Sequence, residues 1–160
     1  EKRFDLTIRG PADGSYLEEL KAISERHGVA NRVTFAPPEP MKELVSAARA
    51  FDIGVLALPD LSLHTRYALP NKLFEYLMSG LAIVVTDLPE MDRLVRETGA
   101  GVSIARAEPG GIAAAINGLN VNRLNTMKRA ALDAAKRLSW EAEVQPVLSA
   151  YAAAMDEIED

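Results

Sequence analysis

Residues 69–89 read Leu-Pro-Asn-Lys-Leu-Phe-Glu-Tyr-Leu-Met-Ser-Gly-Leu-Ala-Ile-Val-Val-Thr-Asp-Leu-Pro. This stretch specifies helix, turn, strand and turn. Pro70 suits a first helical turn, where its missing N–H costs nothing, and Gly80 suits the left-handed position just past a helix end. The spacing therefore predicts a helix over roughly 70–79. Leu73, Phe74, Leu77 and Met78 share one face by the 3.6-residue period, and Asn71, Lys72, Glu75 and Ser79 share the other. An amide, a cation and a carboxylate thus gather on one polar face. Leu81 to Val85 is an unbroken apolar run between Gly80 and Asp87, as in a parallel strand covered on both faces.

Working outward, the same grammar repeats. Asp5 to Arg9, Arg32 to Ala36, Asp52 to Leu58 and Ala100 to Ala105 read as further strands. Between them Ser15 and Glu18 form a candidate capping box for a helix running up to Gly28. Met41, Leu44, Val45 and Ala48 mark the next helix, and Pro89 opens another that ends at Gly99. The remainder is helical, over roughly 108–118, 122–138 and 140–158, with Trp140 expected to pack the last helix down. Alternating strands and helices of these lengths specify an α/β, doubly wound, Rossmann-like parallel sheet of about five strands flanked by helices, with further helices at the C-terminal end. Ligands of such sheets bind beyond the carboxyl ends of the strands.

Composition narrows the chemistry. The chain has 160 residues, 48% of them hydrophobic, no cysteine, two histidines and a formal charge of −5, with an isoelectric point near 5.1. That excludes thiolate and histidine-rich metal sites, and it argues against nucleic acid or acidic lipid held by bulk electrostatics. No cofactor or metal is implied. No apolar run approaches the roughly 18 residues of a membrane span, and the start lacks the apolar core of a signal peptide. A cytoplasmic setting is expected, with any peripheral membrane contact left to parts of the protein outside this chain.

The motif Glu75, Gly80 and the strand Ala82 to Val85 resembles the signature of the group-1 family of nucleotide-sugar glycosyltransferases. That family typically has a Glu, seven residues, a second Glu, a small-residue helix end, a Gly and a buried strand. Glu75 matches the second Glu. Tyr67 stands where the first is expected, the position that in the family contacts the donor sugar. The resemblance implies the C-terminal half of a two-domain GT-B fold. The chain would be the domain that binds a nucleotide-diphosphate sugar, and the enzyme would transfer the sugar with retention to an acceptor saccharide, lipid or other hydroxyl compound. No catalytic residue is assigned within this chain. The fragment by itself is expected to be inactive and to lack both the N-terminal acceptor domain and the first, central strand of the sheet. That strand would lie between 5–9 and 52–58, whereas a self-contained sheet would pair those two directly.

The candidate substrate-binding residues follow from the polar helix face and from this resemblance. Glu75 is a candidate for the ribose diol, since an ionised carboxylate accepts two donors; the alternative is a solvated Glu paired with Lys72 one turn earlier. Asn71, Lys72 and the N–H groups of Ala68 and Leu69 are candidates for the diphosphate, as is Arg66 on the preceding loop, because a helix N-terminus carries free N–H groups and a partial positive charge. Phe35 and Ala36, at a strand end, are carried over by resemblance to the nucleotide base. Gly10 ends the first strand where backbone can approach a ligand closely. His64 reads as a solvated loop residue and His27 as a helix-end dipole partner. Two other readings stay open, a sugar-nucleotide epimerase and a non-catalytic interaction module on a flavodoxin-like sheet.

Overall fold

A computed structural model describes residues 4–159. Five strands alternate with eight α-helices: β1 Leu6–Arg9, α1 Gly14–Arg26, β2 Val33–Ala36, α2 Leu44–Ala48, β3 Ile53–Leu56, α3 Leu63–Arg66, α4 Asn71–Ser79, β4 Ala82–Thr86, α5 Pro89–Thr98, β5 Gly101–Ile104, α6 Pro109–Asn117, α7 Val121–Arg137 and α8 Trp140–Glu159. All strand pairs are parallel, as the βα alternation requires, in two ladders ordered β1-β2 and β3-β4-β5. These are the neighbours expected from sequence. The chain divides into two units, one ending at Ala47 and the other beginning at Ala48.

In the first unit, Leu6 to Arg9 pairs residue for residue with Val33 to Ala36. Helix α1 is capped by Asp13, whose carboxylate accepts from the Tyr16 N–H at 2.8 Å and from the Ser15 hydroxyl at 2.7 Å. The expected cap, Ser15, is instead a donor to the true one, so the predicted capping box does not form. Hydrogen bonding from Tyr16 and then Ser15 lowers the Asp13 carboxyl below its ordinary range.

The second unit holds the core. All five residues of β4 are buried. Ile83 and Val85 pack with Leu73 and Leu77 of α4, Met91, Leu94 and Val95 of α5, and Ala131 and Ala134 of α7. Ala82 packs with Leu119 and Met127, a second cluster flanked by Ile53, Val102 and Leu124. Gly101 lets β5 close on β4, since a Cβ there would lie 2.0 Å from the Ile83 carbonyl oxygen. Asp92 of α5 accepts from Ser103 of β5 and from Arg96, clasping helix to strand. The Ser103 bond, followed by Arg96, lowers the Asp92 carboxyl.

Helix α4 ends where predicted and starts one residue later, with Pro70 just outside its first turn. Pro70 is its N-cap in extended geometry, and Gly80 closes it in the left-handed conformation at φ 71°, ψ 36°. Its faces are rotated from expectation. Ser79 is buried, with its hydroxyl on the Glu75 carbonyl at 2.7 Å, while Met78 is exposed. The helix is wedged between the sheet and α7, so burial extends beyond one stripe. Trp140, the first residue of α8, is 76% exposed, which corrects the expectation that it packs α8 down. No described helix is long and apolar enough to cross a membrane.

Candidate functional site

Helix α4 follows β3 and precedes β4 in a parallel ladder, so its N-terminus stands at the carboxyl edge of the strands, where ligands of such sheets bind. Because Pro70 occupies the N-cap, no side chain caps the helix. The Pro70 carbonyl accepts from the Leu73 N–H at 2.9 Å. The N–H groups of Leu69, Asn71 and Lys72 have no partner among the described residues. They are the orphan donors of a helix start, reinforced by its dipole. The Ala68 N–H, by contrast, is spent on the Thr65 carbonyl at 3.3 Å.

One turn into the helix, Lys72 Nζ lies 2.6 Å from Glu75 Oε2. The pair is half-open, with side-chain exposures of 42% for Lys72 and 20% for Glu75. Glu75 Oε1 has no partner among the described residues, and an ammonium donates three hydrogen bonds, so both groups retain capacity for a ligand. Asn71 is exposed and makes no side-chain hydrogen bond among the described residues. The arrangement offers the Leu69 N–H and, along about 6 Å of helix, two further backbone donors, a cation and one carboxylate oxygen.

The preceding loop is braced rather than loose. Ser62 caps the short α3 by accepting from the Thr65 N–H at 3.1 Å. Arg66 holds Asp60 through both carboxylate oxygens at 2.6–3.2 Å. That bond lowers the Asp60 carboxyl and raises the Arg66 guanidinium. Arg66 therefore points its charge at Asp60, not at the helix start. Tyr67 is 59% exposed at the end of α3, with its N–H on the Leu63 carbonyl. His64 is exposed, as expected.

In the first unit, the Gly10 N–H donates to the Ala36 carbonyl at 3.4 Å, and Phe35 pairs with Ile8. The space where a Gly10 Cβ would sit is open. Gly10, Phe35 and Ala36 thus meet at the carboxyl end of their own two-stranded ladder. A cavity of about 270 Å³ in the second unit shares Leu69 with the helix start. It is lined by Leu69, Phe74, Leu94, Leu138, Arg93 and Arg137 among others, and not by Glu75.

Two features escaped the sequence reading. Thr86, at the carboxyl end of β4, is 3% exposed, and its hydroxyl has no hydrogen-bond partner among the described residues. Tyr76 lies against Gly54 of β3, and burial, with the Glu75 charge adding to it, raises its phenol above the ordinary value. Neither has a signature in a linear pattern, because each depends on which neighbour faces it.

Residues 1–122 match the family described as Glycosyl transferases group 1. The chain belongs to this glycosyltransferase family. Among curated relatives of this group 1 chain, the D-inositol 3-phosphate glycosyltransferase of Nocardia farcinica is 31% identical over 155 residues, covering 94% of the chain and 33% of the relative. That of Segniliparus rotundus is 32% identical over 154 residues, with coverage of 94% and 33%. The chain thus spans about a third of the length of the curated relatives it matches. Among solved structures, Anabaena Alr3699/HepE in complex with UDP superposes with a TM-score of 0.73 at 18% identity, covering 94% of the chain and 41% of that one. Sucrose-phosphate synthase from Thermosynechococcus elongatus gives 0.71 at 15% identity, with coverage of 95% and 38%. These likenesses show the fold: α/β with parallel strands, as in GT-B glycosyltransferases.

Proposed function

We propose that this chain is the donor-binding, C-terminal half of a retaining glycosyltransferase that moves a sugar from a nucleotide-diphosphate donor to an acceptor hydroxyl. The observation that carries the reading is the Glu75 carboxylate, set one turn below an uncapped helix start with unspent N–H groups, in a chain of this family. The UDP bound by Alr3699/HepE supports a nucleotide donor.

In this reading Glu75 Oε1 accepts from the ribose hydroxyls while Oε2 stays on Lys72. The remaining Lys72 donors, the Asn71 amide and the N–H groups of Leu69, Asn71 and Lys72 take the diphosphate. They act most strongly as it departs, because negative charge then grows on oxygens that fixed donors already face. Lys72 also cancels the Glu75 charge, which would otherwise repel the diphosphate. Tyr67 offers an aromatic face to the sugar. Ala68 contributes backbone shape, since its N–H is used, and Arg66 joins only by leaving Asp60. We further propose that the acceptor domain and the central strand belong to parts of the protein outside this chain.

The test is transfer from a panel of labelled nucleotide-diphosphate sugars by the full-length protein, with the anomeric configuration of the product read by NMR. Retained configuration, and loss of transfer in Glu75→Ala, are expected. A protein that neither binds nucleoside diphosphates nor releases them from any donor would overturn the reading.

A further inference from the structure

The carboxylate on α4 is useful only if the helix holds one rotation and one height against the sheet. Leu73 and Leu77 are fully buried, but aliphatic burial is non-directional and tolerates small slides. A more specific constraint sits beside Glu75. A Cβ at Gly54 would lie 2.5 Å, 2.6 Å and 2.8 Å from Cδ2, Cγ and Cε2 of Tyr76. The ring therefore occupies the volume that any side chain on β3 would need. Gly54 does not have a positive φ, so what requires a glycine here is space, not backbone freedom. The phenol hydroxyl reaches the Val55 carbonyl only at 3.5 Å, too long to dominate. The far end of the helix is fixed through the same residue: the Tyr76 carbonyl accepts from the Leu81 N–H at 3.1 Å, next to the left-handed Gly80.

We infer that Tyr76 seated on Gly54 is a positioning pair, which sets the place of Glu75 and Lys72 at the carboxyl edge and thereby the affinity for the nucleotide. The inference rests on the ribose reading of Glu75. Leverage makes the pair matter. A carboxylate about 6 Å from the helix axis moves by about 1 Å for a rotation of roughly 10°. A misplacement of that size costs up to about a hundredfold where geometry is demanding. Adding a methyl at Gly54 pushes the ring, and hence the helix, outward or around. Removing the ring frees the helix to shift.

The experiment uses the full-length protein and whichever of UDP, GDP and ADP it binds most tightly, with affinity measured by calorimetry and folding by thermal melting. Gly54→Ala is expected to lose about tenfold or more in affinity. Tyr76→Leu should lose somewhat less. The double variant of Gly54→Ala with Tyr76→Ala, which removes Cγ and the ring and so leaves room for the new methyl, is expected to recover part of the loss seen in Gly54→Ala. Tyr76→Phe should stay within about twofold, because the ring and not the long hydroxyl bond does the positioning. Leu119→Ala, a core change in the cluster that holds neither Gly54 nor Tyr76, should lower the melting temperature and leave affinity unchanged. Unaltered affinity in folded Gly54→Ala or Tyr76→Leu would overturn the inference. So would an affinity loss in Leu119→Ala matching theirs, which would make the pair merely structural. If Gly54→Ala does not fold, the contrast between Tyr76→Leu and Tyr76→Phe decides. Glu75→Ala separates the two ideas. If it weakens binding while the slot variants do not, positioning fails alone; if it too has no effect, the ribose reading fails and the positioning with it.

Discussion

Strands β4 and β1 are both short, parallel and rich in apolar side chains, yet they end in opposite environments. Every residue of β4 is buried, whereas Leu6 and Ile8 of β1 are 49% and 39% exposed. Around β4 the residues from Ala48 onward form two apolar clusters. Among the described residues up to Ala47, only Ser24 falls in the buried class. An apolar face records that something must cover it, and says nothing of what does. The same holds for α8, where Val147, Leu148, Tyr151 and Met155 stand between 51% and 69% exposed.

This contrast can be broken by mutation. Leu77→Ala should cost about 2–5 kcal/mol in urea unfolding, the usual range for emptying a closed core site. A cost below about 1 kcal/mol would mean that the second unit is loosely packed. Ser103→Ala should cost about 1.5–3 kcal/mol at neutral pH by removing a hydrogen bond to a carboxylate. The sign of its pH dependence follows from Asp92, whose folded pKa is lowered first by Ser103 and then by Arg96. The clasp therefore stabilises fully above the unfolded carboxylate range and is lost as pH falls through the folded value. Wild type and variant should converge below about pH 4; a gap that widens on acidification would contradict this. Ile8→Ala should cost about 1 kcal/mol or less, since little apolar surface is removed from cover. A loss as large as at Leu77 would show that β1 is covered in solution. Arg66→Gln should leave nucleotide affinity within about twofold, because its charge is engaged with Asp60.

The fold was legible where local signals agreed. β4 and α4 lie where Gly80, Asp87 and the apolar run place them, and α5 stops at the left-handed Gly99. The misreadings arise where two residues could do one job or where neighbours decide. Asp13 and Ser15 both suit a cap, and only the geometry shows the serine donating to the aspartate. Met78 and Ser79 exchange environments because α7 covers one flank of α4. At the site, residue types were readable but their commitments were not. Whether Arg66, Lys72 and the Ala68 N–H are free or engaged depends on distances that a sequence does not contain. The Tyr76–Gly54 contact requires knowing which residue of β3 lies under the helix.

The structure pairs Glu75 Oε2 with Lys72 and leaves Oε1 without a partner among the described residues, so affinity must decide whether the carboxylate also serves a ligand. The most direct measurement is calorimetric binding of a nucleoside diphosphate to the full-length protein and to Glu75→Ala. A loss of about 1.5–3 kcal/mol, with the variant still folded, is the outcome expected for hydrogen bonds to a charged group. Unchanged affinity in a folded Glu75→Ala would contradict the account and leave the carboxylate as nothing more than the partner of Lys72.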